Sequence, residues 1–167
     1  QAKELAELSE KKNLVLMVGH TFEYNPAVNK LKELIDKKEL GNVLYMYGWR
    51  LNLGLYQKDT NVVWDLAPHD LSIMFYLLGK KAVSVQAIGG CNVKPGTEDV
   101  AFINVRLEGC CFCHLHVSWL DPLKVRKIVV VGDKKMAVFD DIEPVEKIKV
   151  YDKGVEIRNK GFDTLYK

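Results

Sequence analysis

The chain has 167 residues, 48% of them hydrophobic and 28% charged, with a formal net charge of +2. This is the mix of a globular domain large enough to bury a real core. It excludes a basic nucleic-acid arm, and no apolar run reaches the ~18 residues of a membrane span, so neither nucleic acid nor a membrane is an expected partner.

In chain order, QAKELAELSEKK is amphipathic, with Ala2, Leu5, Ala6 and Leu8 on one helical side. A domain rarely begins in mid-helix, so the chain reads as a fragment of a longer one. Asn13 breaks the pattern, and Leu14–Gly19 (LVLMVG) reads as a strand buried on both faces, as in a parallel sheet. Helix then buried strand is half of an α/β repeat, so residues 1–20 read as the last unit of a truncated parallel-sheet domain. HTFEYNP is a connector. Asn25 is an N-cap with Pro26 at the first helical position, and the next helix turns Val28, Leu31, Leu34 and Ile35 to one face and stops at Gly41. Val43–Leu55 is aromatic and β-rich. NVVWDLAPHDLSIMFYLLG (Asn61–Gly79) is a helix starting at Asp65 or Leu66 and closed by Gly79. Thereafter the chain is nearly all strands, with a GDKK hairpin at Gly132–Lys135 and GVEIRN (Gly154–Asn159) as the last. The expected fold is α+β: an open, mixed but mostly antiparallel sheet with helices on one face, over residues 21–167.

The helix at Asn61–Gly79 opens with groups that are costly to bury. Asp65 and His69 stand four apart and share a face; Ser72 and Tyr76 extend it, while Ala67, Leu71, Met74 and Leu78 lie opposite. Pro68 falls in the first turn, and Asp70 points elsewhere as a structural acid near the helix dipole. Two readings stand. Asp65 caps the helix and His69 is a satisfied, half-buried histidine; or a carboxylate orients an imidazole that exchanges protons near neutrality. Arg50 and Asn52 lie on the strand leading toward this helix. An arginine fork suits a substrate carboxylate or phosphate, though a solvated strand residue is the plainer alternative. Thr21 and Tyr24 follow the apolar run Leu14–Gly19, where parallel sheets bind ligands.

The four cysteines are Cys91, Cys110, Cys111 and Cys113. Their crowding fits neither a disulfide framework nor a zinc knuckle, and points to a reduced, cytoplasmic protein. In CCFCHLH, strand alternation puts Cys110, Phe112, His114 and His116 on one side and Cys111 and Cys113 on the other. Zinc needs about four convergent ligands, so no metal is expected.

LMVGHTFEYNPAV, RLNLG, WDLAPHDLSIMFYLLG, HVSWLDPLKVR and GDKKMAVFDD, in this order, resemble the glucose–fructose oxidoreductase/inositol dehydrogenase (Gfo/Idh/MocA) family over nearly the whole chain. The resemblance implies an N-terminal Rossmann domain binding NAD or NADP, with residues 1–20 as its remnant. It makes residues 21–167 a substrate and oligomerisation domain. It places the family's D-x-x-x-H pair on Asp65 and His69, with His69 as proton acceptor for the hydroxyl being oxidised. The branch acting on nucleotide-linked sugars is the most similar, so the implied partners are a sugar or nucleotide-sugar substrate and further copies of the chain through the sheet face. The chain lacks a G-x-G-x-x-G, and the family's E-K-P lysine would lie upstream of Gln1. Cofactor binding is therefore expected in the full-length protein, with none by the fragment. The alternative is a non-catalytic oligomerisation or sugar-binding module.

Overall fold

Asn25 has extended backbone, and its side chain accepts the Ala27 N–H at 2.9 Å while Pro26 presets the first turn. Helix α2 (Pro26–Asp36) therefore starts where the sequence predicts. It ends earlier than Gly41, because Lys38 takes a positive φ of 58° and the Glu39 N–H folds back to the Leu34 carbonyl. The structure, a computed structural model, describes residues 1–54 and 56–155. The predicted strand GVEIRN lies outside the described residues except for Gly154 and Val155.

Helix α1 (Ala2–Lys12) precedes a segment that departs from expectation. Leu14–Gly19 is not a strand, and Val15 is 97% exposed. A doubly buried strand needs neighbours on both edges, and none of the described strands pairs with it.

The remaining elements form one helix-covered sheet. They are β1 (Val43–Leu51), α3 (Val62–Leu78), β2 (Ala82–Gly90), β3 (Val100–Leu107), β4 (Phe112–Ser118), β5 (Val125–Gly132), β6 (Met136–Asp140) and β7 (Ile148–Tyr151). The sheet order is β2-β3-β4-β1-β5-β6-β7. Among the described residues only β1 and β4 pair in parallel; the other five pairings are antiparallel, which gives the mixed, mostly antiparallel sheet expected. The GDKK turn joins β5 to β6, its Gly132 N–H donating to the Lys135 carbonyl at 3.0 Å. A Cβ at Gly132 would lie 2.0 Å from the Leu40 carbonyl oxygen, so only glycine fits beneath the end of α2's following turn.

Period-two burial fixes which face is covered. Met46, Ile103, Val105, Cys113, Leu115, Val117, Ile128, Val130 and Phe139 are buried beneath Val28, Leu31 and Leu34 of α2 and Ile73, Met74 and Leu77 of α3. Each large side chain buried there contributes about 1.5–3 kcal/mol before the entropy of ordering is subtracted. The other face carries Tyr45, Tyr47, Trp49, Phe102, Phe112, His114 and His116, half-buried or exposed. The face split expected for CCFCHLH is therefore present at the described side chains.

Candidate active site

Helix α3 begins at Val62, three or four residues before the expected start at Asp65 or Leu66. The Asn61 side chain accepts the Trp64 N–H at 3.1 Å, which makes Asn61 the cap and frees Asp65 from that role. Pro68 consequently sits inside the helix, past the first turn where its missing N–H would be free of cost. Gly79 closes the helix in the left-handed conformation, with φ 60°.

Where α3 crosses the ends of β1, β4 and β5, a cavity of about 400 Å³ opens. Asp65 and His69 line it from the helix, with Arg50 and Asn52 from the end of β1. Phe22, Leu66, Trp119 and Arg126, none of them expected from the sequence as site residues, also line it. Thr21 and Tyr24 are exposed and do not line it. Both lie in the 3₁₀ turn Thr21–Tyr24, which turns the intervening Phe22 toward the site instead.

Asp65 Oδ2 accepts the Trp119 indole N–H at 2.8 Å. Among the described residues no hydrogen bond joins Asp65 to His69, so the acid acts on the imidazole as a nearby charge. Trp119 is itself 1% exposed and stacks, tilted, at 5.0 Å from Tyr56. Beneath it Asp99, fully buried, accepts from the Tyr56 hydroxyl, the Asn92 amide and backbone, and the Val93 N–H. Burial alone would raise this carboxyl; the hydrogen bonds outweigh it and hold it at about 2. Asp99 thus ties Tyr56, Asn92 and Val93 together beneath Trp119 as a fixed anion.

His69 meets the Phe22 ring edge-on at 5.7 Å. Among the described residues its ring nitrogens have no hydrogen-bond partner; only its backbone carbonyl is used, by the Ser72 hydroxyl. Burial lowers its pKa below the usual histidine value, the Arg50 charge lowers it further, and Asp70 and Asp65 oppose. These opposing influences leave the neutral form of the ring more favoured than in an ordinary histidine.

Arg50 is 3% exposed, which excludes a solvated strand residue. Its fork is already occupied: Nε donates to Asp70 Oδ2 at 3.0 Å and Nη2 to Oδ1 at 2.7 Å. Its guanidinium also lies 4.8 Å above the Phe22 ring. Asp70 is thus structural, as expected, but its partner is this arginine rather than the helix dipole. Burial pushes the Asp70 carboxyl up, and the fork pulls against that shift. Ser72 is buried and Tyr76 donates to the Asn29 side chain at 2.8 Å, so the rest of the polar stripe serves packing. Among the described residues no three His, Cys, Asp or Glu side chains converge as a metal set.

The fold is α+β: a helix-covered mixed sheet with a polar cavity at the junction of its main helix and central strand ends. The sequence profile of the GFO/IDH/MocA C-terminal domain matches residues 28–138. The chain belongs to this oxidoreductase family. It is 30% identical over 90 residues to the UDP-N-acetylglucosamine 3-dehydrogenase of Acidithiobacillus ferrooxidans, covering 53% of this chain and 28% of that protein. It is 34% identical over 76 residues to the inositol 2-dehydrogenase of Mycolicibacterium gilvum, covering 44% and 22%. The solved structure of the A. ferrooxidans enzyme superposes with a TM-score of 0.73 at 23% identity, over 90% of this chain and 48% of that one. An inositol dehydrogenase homologue of Azotobacter vinelandii, solved with NADH and myo-inositol, superposes with a TM-score of 0.72 at 17% identity, over 90% and 46%. The chain thus spans about half the length of these solved relatives.

Proposed function

We propose that the chain is the substrate-binding, proton-accepting domain of a nicotinamide-dependent oxidoreductase acting on a hydroxyl of a sugar or nucleotide sugar. One observation carries the reading: a half-buried His69, whose ring nitrogens have no hydrogen-bond partner among the described residues, faces a polar cavity, and burial lowers its pKa. Such a ring accepts a proton from a hydroxyl bound within hydrogen-bond reach. Asp65 and Asp70 stabilise the imidazolium that forms, and Trp119 holds Asp65 in place. Phe22 and Leu66 give the sugar ring an apolar wall, and Asn52 offers an amide. The 167 residues contain no glycine-rich loop that would cradle dinucleotide phosphates, so that part of NAD or NADP is expected to be held by residues outside this chain. The chain's own part is to bind the sugar, orient its hydroxyl and take the proton.

The exposed apolar run Leu14–Val18 supports reading residues 1–20 as the edge of a separate unit and 21–167 as the substrate domain. The free thiols of Cys91, Cys111 and Cys113 support a reducing, cytoplasmic setting.

Steady-state turnover of UDP-N-acetylglucosamine and myo-inositol by the complete protein carrying this chain tests the reading. His69→Gln is expected to lower kcat by about 10²–10⁴ with little change in KM. Wild-type kcat/KM is expected to rise with pH along a limb lying below the usual histidine range of about 6.5, and the variant to lack that limb. Unchanged turnover in the variant favours the non-catalytic module.

The uncovered sheet face supports association of copies. Tyr45 and Phe112 stack there at 5.4 Å, Tyr47 meets Trp49 at 5.0 Å, and Phe102 lies 4.3 Å from His116. Light scattering is expected to find an oligomer that Phe102→Lys dissociates. A wild-type monomer at high concentration removes this part of the proposal.

A further inference from the structure

Two arginines stand directly opposite each other on adjacent strands, Arg50 on β1 and Arg126 on β5, and both reach the cavity. Like charges so placed repel unless each is neutralised. Arg50 is neutralised by the two-bond fork on Asp70. Arg126 is not matched in the same way. Its nearest carboxylate is Asp141, with Nη1 to Oδ2 at 3.6 Å, beyond hydrogen-bond length. Asp141 is also shared with Lys147, which donates to its carbonyl at 2.6 Å and lies 3.9 Å from its other oxygen. The Arg126 Nε is buried with no hydrogen-bond partner among the described residues. No ion pair within 4 Å links Arg126 to Asp65 or Asp70 among those residues.

A buried donor on a charged group, left unmade, carries its full desolvation cost. The sealed Nε is out of a ligand's reach, but the side chain as a whole is 34% exposed at the cavity wall, and its Nη–H groups, short of a close carboxylate, are completed by an oxyanion.

We propose that Arg126, and not Arg50, is the anchor for an anionic group of the ligand, so that the cavity selects an acidic sugar, one bearing a carboxylate or a phosphate, over a neutral polyol. This rests on the reading of the cavity as a sugar site. The same oxyanion has two sources, the carboxylate of a sugar acid or the diphosphate of a nucleotide sugar. The two arginines divide the work: one is spent holding the sheet to α3, the other is open to the ligand. His69 lines the same cavity and acts on the sugar hydroxyl once the anion has fixed the ring.

The test titrates the complete protein carrying this chain with D-glucuronate, UDP-N-acetylglucosamine and myo-inositol while following the arginine Nε–H resonances by NMR. The Arg126 Nε–H signal is expected to move with an anionic probe and to stay still with myo-inositol. Arg126→Gln is expected to weaken binding of that probe by about tenfold or more without affecting myo-inositol. Arg126→Lys, which keeps the charge and loses the fork, is expected to fall between. Whichever anionic probe depends on Arg126 identifies the carboxylate or the diphosphate as the source. Equal weakening of all three probes, unchanged anionic affinity in Arg126→Gln, or no binding of either anionic probe at millimolar concentration overturns the proposal. Arg126-dependent binding alongside full turnover by His69→Gln would sink the proton-acceptor reading and leave this anchor standing.

Discussion

Asp70 and His69 are neighbours in sequence and part company in the fold: one side chain is sealed against the sheet, the other opens to the cavity. The Arg50–Asp70 pair shows what such sealing costs. Two desolvated charges roughly cancel their own attraction, so removing both is tolerated far better than removing one. Arg50→Met is expected to destabilise the chain by about 3–5 kcal/mol, because it strands a buried carboxylate. Arg50→Met with Asp70→Leu should recover most of that loss. Urea unfolding of the single and double variants decides it; equal midpoints would mean the two side chains are not coupled. The sequence shows helical spacing, and spacing shows faces. It made Asp65, His69, Arg50 and Asn52 visible as one neighbourhood, and the cavity brings those four together. It could not show that Arg50's partner is Asp70, or that Asp65 answers to Trp119, since those pairs meet only after α3 packs on the sheet. Arg126 was invisible for the same reason: it lies in a strand pattern with no local mark, and only its register against Arg50 gives it meaning.

At the scale of elements, local signals with a mechanism read correctly. The Asn25–Pro26 start, the Gly79 stop and the GDKK turn each depend on a few adjacent residues. Strand alternation likewise sorted Cys111 and Cys113 inward from Phe112 outward. The failures occurred where two local signals compete or where the partner is distant. Asp65 is a plausible cap, but Asn61 captures the Trp64 N–H first and lengthens α3 by a turn, moving Pro68 into its interior. Leu14–Gly19 has the composition of a buried strand. Composition says what a segment gains by burial; a ladder of hydrogen bonds needs neighbours, and none of the described strands supplies one. Thr21 and Tyr24 inherited their expected place from that strand, so the site passes to Phe22 when the strand is absent.

For the whole molecule, the order β2-β3-β4-β1-β5-β6-β7 has a consequence in time. β2, β3 and β4 form one antiparallel meander and β5, β6 and β7 another, each from strands close in sequence. β1 precedes both along the chain, yet lies between them and, among the described residues, is the strand that links one meander to the other. Its parallel pairing with β4 closes a long loop containing α3 and two strands, an entropic toll the hairpins do not meet. Until β1 is seated, the facing edges of β4 and β5 are open to pairing with other chains. Pulsed hydrogen exchange during refolding is expected to protect β2–β3 and β5–β6 amides before those of β1; simultaneous protection would refute this sequence of events. The strand made first is the one that locks last, and the interval between is when the chain is most exposed to misassembly.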